Sequence, residues 1–135
     1  MSESVLHQQL VKLLKKEVMS IVPSDCWNLI QEDTPESRNR PPIIVEKHRP
    51  DIFYNWGSLL VIGEAKTGND VSKKRSRSQY DSYLRMCSNF SGNAYLILSV
   101  PWLEEAEANN ILRLNKKKYS GDYTTKVCAW IVGAV

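Results

Sequence analysis

The first hydrophobic pattern along the chain is helical. Five apolar residues recur at three- and four-residue spacing before position 20: Leu6, Leu10, Leu13, Leu14 and Val18. This spacing predicts a helix that is capped by Ser2 and ends near Ser20. Beyond Pro23, the apolar run Cys26–Gln31 predicts a first strand, and the polar stretch Glu32–Arg40 predicts an exposed loop.

Two strand-like runs follow in the middle of the chain. Positions 43–45 begin an extended segment that leads into the first run at positions 51–55, and the second run covers positions 59–66. A glycine followed by a serine, Gly57 and Ser58, lies between the two runs. Glycine reaches the positive φ that a tight turn needs, so the two runs are predicted to form a hairpin.

Three charged residues are predicted to meet at one end of this hairpin. If the turn is centred between Gly57 and Ser58, Asp51 lies directly opposite Glu64, with the two Cβ atoms about 4.5–5.5 Å apart. Lys66 shares their face because side chains alternate along a strand. A shift of one residue in the turn would break this register.

The remainder of the chain predicts alternating helices and strands. A helix is expected over positions 71–89, a strand buried on both faces over 94–100, a helix over 102–114 and a strand over 126–132. The resulting order, α-β-β-β-α-β-α-β, predicts an α/β fold in which helices flank a central mixed β-sheet. A length of 135 residues fits a single domain over positions 1–135.

The composition narrows the class of protein without naming a function. The net charge is only +3, so the total charge alone does not indicate nucleic acid. Three widely spaced cysteines in apolar stretches indicate buried thiols and no zinc cluster. We recognise neither a secretory signal nor an apolar run of about 20 residues, and therefore expect a cytoplasmic protein that does not enter membranes.

The charged end of the hairpin suggests phosphodiester chemistry. Two carboxylates that share a face repel each other unless a positive group lies between them, and Mg²⁺ (or Mn²⁺) prefers such oxygen ligands. Lys66 beside the metal would orient an attacking water or stabilise charge on a phosphate. The competing interpretation is a structural ion pair between Lys66 and one of the acids at a strand edge.

The same residues resemble a known family. Pro50 and Asp51, followed by a strand that ends in Glu64, Ala65 and Lys66, resemble the signature of the PD-(D/E)XK nuclease superfamily. Farther along, Gln79 and Tyr83 resemble a Q-x-x-x-Y motif that some branches carry on the helix after the catalytic hairpin. The resemblance covers about residues 2–100 and implies the α-β-β-β-α-β core of a restriction endonuclease-like fold.

The resemblance also implies roles for individual residues. Asp51, Glu64 and the Ala65 carbonyl would bind Mg²⁺ (or Mn²⁺), and Lys66 would serve the attacking water. Gln79 would support the catalytic site. Many members place a further acid on the first helix, where Glu3 fits best. The other acids considered are Glu17, Glu32 and Glu46, and a functional role for His7 or His48 stays open beside a structural one.

The basic residues next to this site suggest the substrate. The expected nucleic-acid contacts are Lys73, Lys74, Arg75, Arg77 and Tyr83. Contacts with the phosphate backbone carry little sequence information, and the sequence shows no recognition module. We therefore expect a Mg²⁺-dependent deoxyribonuclease, an endonuclease with structure-directed or partner-directed specificity. A homodimer and a specificity-providing protein partner both remain open, as does a non-catalytic nucleic-acid-binding or assembly subunit that retains the nuclease fold.

Overall fold

The computed structural model describes residues 4–43 and 48–131. The main elements are α1 (Val5–Ile21), β1 (Gln31–Glu32), β2 (Ile52–Trp56), β3 (Leu59–Ala65), α2 (Lys74–Asn89), β4 (Asn93–Pro101), α3 (Glu105–Lys116) and β5 (Thr124–Trp130). Short 3₁₀ helices cover Ser24–Leu29, Gly68–Ser72 and Trp102–Glu104. The described elements follow the predicted order. None of the helices in these two ranges is long and apolar enough to cross a membrane.

The first strand was predicted in the wrong place. The segment Ser24–Leu29 is a 3₁₀ helix, and the strand that follows it is only the pair Gln31–Glu32. The indole Nε1 of Trp27 donates to the carbonyl oxygens of Met19 (3.1 Å) and Val22 (3.0 Å). These bonds hold the segment against the end of α1, so it is not extended.

The ends of the helices also differ from the prediction. The N-cap of α1 is Ser4 rather than Ser2: its Oγ accepts from the backbone N–H of His7 at 3.0 Å. Helix α2 begins at Lys74 rather than near Val71, because a 3₁₀ helix that buries Val71 comes first. The expected extension of a strand through positions 44 and 45 lies outside the described residues, as does position 132.

The sheet contains five strands in the order β1-β2-β3-β4-β5. The pairs β1–β2 and β2–β3 are antiparallel, whereas β3–β4 and β4–β5 are parallel. The predicted mixed sheet is therefore confirmed. Because β3, β4 and β5 are parallel, their carboxyl ends lie at the same edge.

The predicted hairpin register is confirmed. Ile52 pairs with Gly63 and Trp56 pairs with Leu59, as a turn centred between Gly57 and Ser58 requires. Gly57 adopts a φ of 62°, which L side chains rarely take. If this pairing is continued by one position beyond Ile52 and Gly63, Asp51 lies opposite Glu64.

Helices cover both faces of the sheet. Helix α1 packs on one face through Leu10, Leu14 and Val18, and α2 and α3 pack on the other. The approach of α1 is close at Gly63, where an added Cβ would lie 2.9 Å from a methyl carbon of Leu14. The hydroxyl of Ser99 also donates to the Leu10 carbonyl at 2.7 Å. These contacts fix α1 over β3, which carries Glu64, and over the adjacent β4.

Candidate metal and catalytic site

The candidate site lies where β3 ends and β2 begins. Glu64 and Ala65 close β3, Lys66 follows, and Asp51 directly precedes β2. The Ala65 N–H donates to Oδ2 of Asp51 at 2.8 Å, and the Lys66 N–H donates to the Ser99 carbonyl at 3.0 Å. Backbone pairing therefore fixes the relative positions of the two acids and the lysine.

Glu64 is a buried acid held by a buried tyrosine. Its residue surface is only 5% exposed, and Oε1 accepts a 2.8 Å hydrogen bond from the hydroxyl of Tyr83, which is fully buried. Burial raises the pKa of Glu64 well above its ordinary value, and the neighbouring charge of Asp51 raises it further. Lys66 and Tyr83 act in the opposite direction but do not outweigh these two causes.

Asp51 has the opposite balance. Burial raises its pKa, but hydrogen bonds with His7, Glu64 and the Ala65 N–H together lower it more, so the pKa of Asp51 lies below its ordinary value. The distance from His7 Nε2 to Asp51 Oδ2 is 3.7 Å. A proton on this pair is therefore favoured on Glu64 rather than on Asp51.

Lys66 is oriented by a residue from α2. Its ammonium donates a hydrogen bond to Oε1 of Gln79 and lies 3.9 Å from Oε2 of Glu64. The Lys66 side chain is 14% exposed and Gln79 is 7% exposed, so the ammonium lies at the edge of the interior. Gln79 thus holds the positive charge beside the carboxylates.

The donor set fits a divalent cation. Asp51 and Glu64 lie together although their charges repel, and a cation between them would relieve that repulsion. Across residues 4–43 and 48–131, no group of three or more His, Cys, Asp or Glu side chains is placed to hold a metal. A cation here would take two carboxylates and complete its coordination with the Ala65 carbonyl and water, as Mg²⁺ prefers.

The structure brings together most of the residues that the sequence singled out: Asp51, Glu64, Ala65, Lys66, Gln79 and Tyr83. Tyr83 lies deeper than expected. A fully buried side chain offers no surface to a nucleic acid, so its expected contact with substrate is replaced by the bond to Glu64. Glu3 and Glu46 lie outside the described residues.

Two spare acids are engaged elsewhere. Glu32 Oε1 lies 2.5 Å from Lys15 Nζ, and Glu17 pairs with Lys126 on β5. These ion pairs hold β1 and β5 to α1. Among the described residues, no hydrogen bond or ion pair joins either acid to the site.

Two histidines contribute to the site in ways that the sequence did not settle. His7 reaches Asp51 from the first turn of α1. His48 is 5% exposed, and its Nε2 lies 3.1 Å from Oγ of Ser78 on α2. That contact ties the segment before Asp51 to the helix that carries Gln79. One signal in the sequence indicates this contact with Asp51: His7 is next to Leu6 and near Leu10, on the side of α1 that faces the sheet.

The basic residues expected to contact nucleic acid lie on the surface beside the site. Lys73, Lys74, Arg75 and Arg77 are all exposed, at the start of α2 or just before it. Lys73 Nζ lies 2.6 Å from Oδ1 of Asp70, which lowers the Asp70 pKa. Arg75 precedes Gln79 by one helical turn, so these charges lie beside the part of α2 that carries Gln79.

No protein-family model matches the sequence, and the comparisons with curated proteins and with solved structures give no match either. The geometry of the site and its residue pattern are therefore what support it.

Proposed function

We propose that the protein is a metal-dependent nuclease of the PD-(D/E)XK kind, which hydrolyses phosphodiester bonds of DNA as an endonuclease directed by substrate structure or by a partner. The observation that carries this proposal is the Asp51–Glu64 pair at a strand end, in which Glu64 is buried and Asp51 partly buried, with Lys66 held beside it. A structural ion pair at a strand edge explains the lysine. It does not explain two adjacent carboxyl groups, of which Glu64 has its pKa raised by burial and by the charge of Asp51.

Each residue has a defined task in this proposal. Asp51, Glu64 and the Ala65 carbonyl would hold Mg²⁺ or Mn²⁺. The bound ion would supply Lewis-acid stabilisation of charge on the phosphate and lower the pKa of water. Lys66 orients the attacking water and offers its ammonium to the negative charge that builds on the phosphate. Gln79 positions Lys66, and Tyr83 positions Glu64.

The proposed substrate path follows the exposed basic residues at the start of α2. Lys74, Arg75 and Arg77 project there without acidic partners among the described residues. Lysine and arginine contacts with phosphates give affinity and orientation but not sequence specificity. Specificity would then come from the shape of the DNA or from a second protein.

The direct test is cleavage of supercoiled plasmid, linear duplex and a four-way junction in Mg²⁺, Mn²⁺ or EDTA. We expect cleavage that requires the metal and falls by at least about 100-fold in Lys66→Ala. Lys117→Ala, which removes an exposed lysine from the far end of α3, is the matched control and should cleave as the wild type does. Undiminished cleavage by Glu64→Ala would contradict the proposed site. DNA binding without cleavage would favour a non-catalytic nucleic-acid-binding or assembly subunit.

A further inference from the structure

A second surface with features of a nucleic-acid site lies on the outer face of α1, away from the catalytic residues. An open groove of about 430 Å³ is lined by Lys12, Lys15, Lys16, Met19, Ser20 and Trp27. The helical residues of this set repeat at three- and four-residue spacing and lie opposite the apolar stripe that packs on the sheet. We call this surface the Trp27 groove.

Trp27 is a rigid aromatic wall of this groove. Its side chain is held by two hydrogen bonds from Nε1 to the carbonyl oxygens of Met19 and Val22, at 3.1 and 3.0 Å. The residue nevertheless remains 42% exposed. A large aromatic surface that is exposed and already ordered can stack on a base with little loss of conformational entropy.

The lysines give the groove an excess of positive charge. Lys15 is paired with Glu32 at 2.5 Å, whereas Lys12 and Lys16 form no ion pair with the described residues. The three lysines and the glutamate paired with Lys15 together carry a net charge of +2. An aromatic wall beside unneutralised cations is the combination that binds the bases and phosphates of single strands.

We propose that the Trp27 groove binds single-stranded nucleic acid, with a base against Trp27 and phosphates near Lys12 and Lys16. The choice of nucleic acid over other polyanions rests on the proposed nuclease function. Along the axis of α1, Met19 lies about 18 Å from His7 at the catalytic end, at a rise of about 1.5 Å per residue. The groove is thus a second contact for a substrate with an unpaired strand, such as branched or flapped DNA.

A membrane surface is the competing occupant for a helix with lysines and a tryptophan. Tryptophans that anchor proteins at membranes place the indole N–H among lipid headgroups. Here the N–H is directed to the end of α1 and is bonded to two backbone carbonyls. The structure therefore favours the nucleic acid.

The test measures the binding of a labelled oligothymidylate by fluorescence anisotropy, in EDTA and at salt concentrations between about 50 and 200 mM. We expect Lys12→Gln/Lys16→Gln to weaken binding about 10-fold or more at low salt and to reduce the slope of log K against log salt by about 1.4, or about 0.7 for each lost contact. Trp27→Leu should weaken binding at every salt concentration by about 10-fold, with little change in slope. Thermal melts would identify any loss of folding in that variant.

Arg38→Gln/Lys117→Gln removes the same charge from exposed positions outside the groove and should bind nearly as the wild type does. Equal losses in this control and in the lysine variant would overturn the proposal. So would unchanged oligothymidylate binding in both groove variants, or variants that lose binding only to anionic phosphatidylserine vesicles.

Plasmid cleavage by the same proteins separates the two proposals. A wild-type protein that cleaves, with groove variants that bind normally, rejects only the groove. A protein that never cleaves, but loses oligothymidylate binding in the groove variants, rejects only the nuclease.

Discussion

The hydroxyl of Tyr83 donates a 2.8 Å hydrogen bond to Oε1 of Glu64 inside the protein, where the tyrosine has no exposed surface. Burial raises the pKa of Tyr83 far above its ordinary value, so the hydroxyl remains a donor at every working pH. We expect Tyr83→Phe to lower cleavage by about 10–100-fold, because Glu64 loses the group that orients it. Cleavage rates measured over a range of Mg²⁺ concentrations would test this.

Tyr80→Phe is the matched control on the same helix. Tyr80 is also fully buried, but its hydroxyl donates at 2.9 Å to the Val71 carbonyl and not to the carboxylate pair. The control should lose about 1 kcal/mol of stability while its Mg²⁺ dependence stays unchanged. Equal effects of the two substitutions on catalysis would show that Tyr83 has only a structural role.

Glu64→Gln should stabilise the metal-free protein at neutral pH. The pKa of Glu64 is raised in the folded state by burial and by Asp51, so its ionisation destabilises the fold. This cost is absent below the ordinary value of 4.5 and grows as the pH rises toward and through the folded pKa. In EDTA the variant should therefore melt a few degrees higher than the wild type near pH 8, with no such gain near pH 4.

Addition of Mg²⁺ provides the second arm of that experiment. The wild type should gain thermal stability with increasing Mg²⁺, because the ion binds the folded state. Glu64→Gln should gain much less, since one carboxylate ligand is missing. A variant that is less stable than the wild type in EDTA at neutral pH would contradict the repulsion between Asp51 and Glu64.

His7→Ala should weaken the metal site without unfolding the protein. His7 Nε2 lies 3.7 Å from Oδ2 of Asp51 and helps to keep that carboxyl ionised. We expect the Mg²⁺ concentration for half-maximal cleavage to rise about 10-fold, with most of the rate recovered at saturation. Gln8→Ala, at the next and exposed position, is the control. An unchanged Mg²⁺ requirement in His7→Ala would exclude this role.

Gly92→Ala should be strongly destabilising although the residue is exposed. A Cβ at this position would lie 2.2 Å from the backbone oxygen of Ser58, which accepts from the Asn93 N–H at 2.8 Å. The substitution has to separate the start of β4 from the start of β3, at a cost of about 2–3 kcal/mol. Urea unfolding would measure the free energy of unfolding of this variant and of the control Ser91→Ala, whose stability should be within about 0.5 kcal/mol of the wild type. A similar value for Gly92→Ala would contradict the close approach.

The three free cysteines should react at different rates. Burial raises the pKa of Cys87 to about 12 and that of Cys128 to about 11, whereas the side chain of Cys26 is half-buried. Near pH 8 we expect a thiol reagent to modify Cys26 first and the other two only after unfolding. Mass spectrometry of the labelled peptides would identify the order, and Cys26→Ser should lack the fast phase. Equal labelling rates in the native protein would contradict the burial of Cys87 and Cys128.

The hairpin and the core of the site were predictable because their determinants are local. A glycine turn and alternating side chains are enough to set the register from Trp56–Leu59 back to Ile52–Gly63. Residues two positions apart along a strand, such as Glu64 and Lys66, then share a face whatever the remaining fold does. The long apolar run of β4 likewise indicated a central strand because both of its faces are buried.

The rest depended on contacts between distant segments. Nothing local distinguishes Ser24–Leu29 from a strand until Trp27 is seen to bond to the end of α1. The reach of His7 to Asp51 depends on how α1 crosses the sheet, which close packing at Gly63 decides. The burial of Tyr83 could not be predicted for the same reason. The Q-x-x-x-Y motif gives the spacing of two residues along a helix but not how deeply either of them is buried.

The turn at Gly57 and Ser58 determines which variants of this protein can remain functional. Five paired positions separate that turn from the Asp51–Glu64 pair, and the turn sets which residues are opposite each other in each pair. Substitutions along the hairpin alter packing one residue at a time, but a single inserted or deleted residue in one strand would carry Asp51 to the opposite face of the sheet. Functional relatives of this chain should therefore differ in the composition of the hairpin while conserving its length.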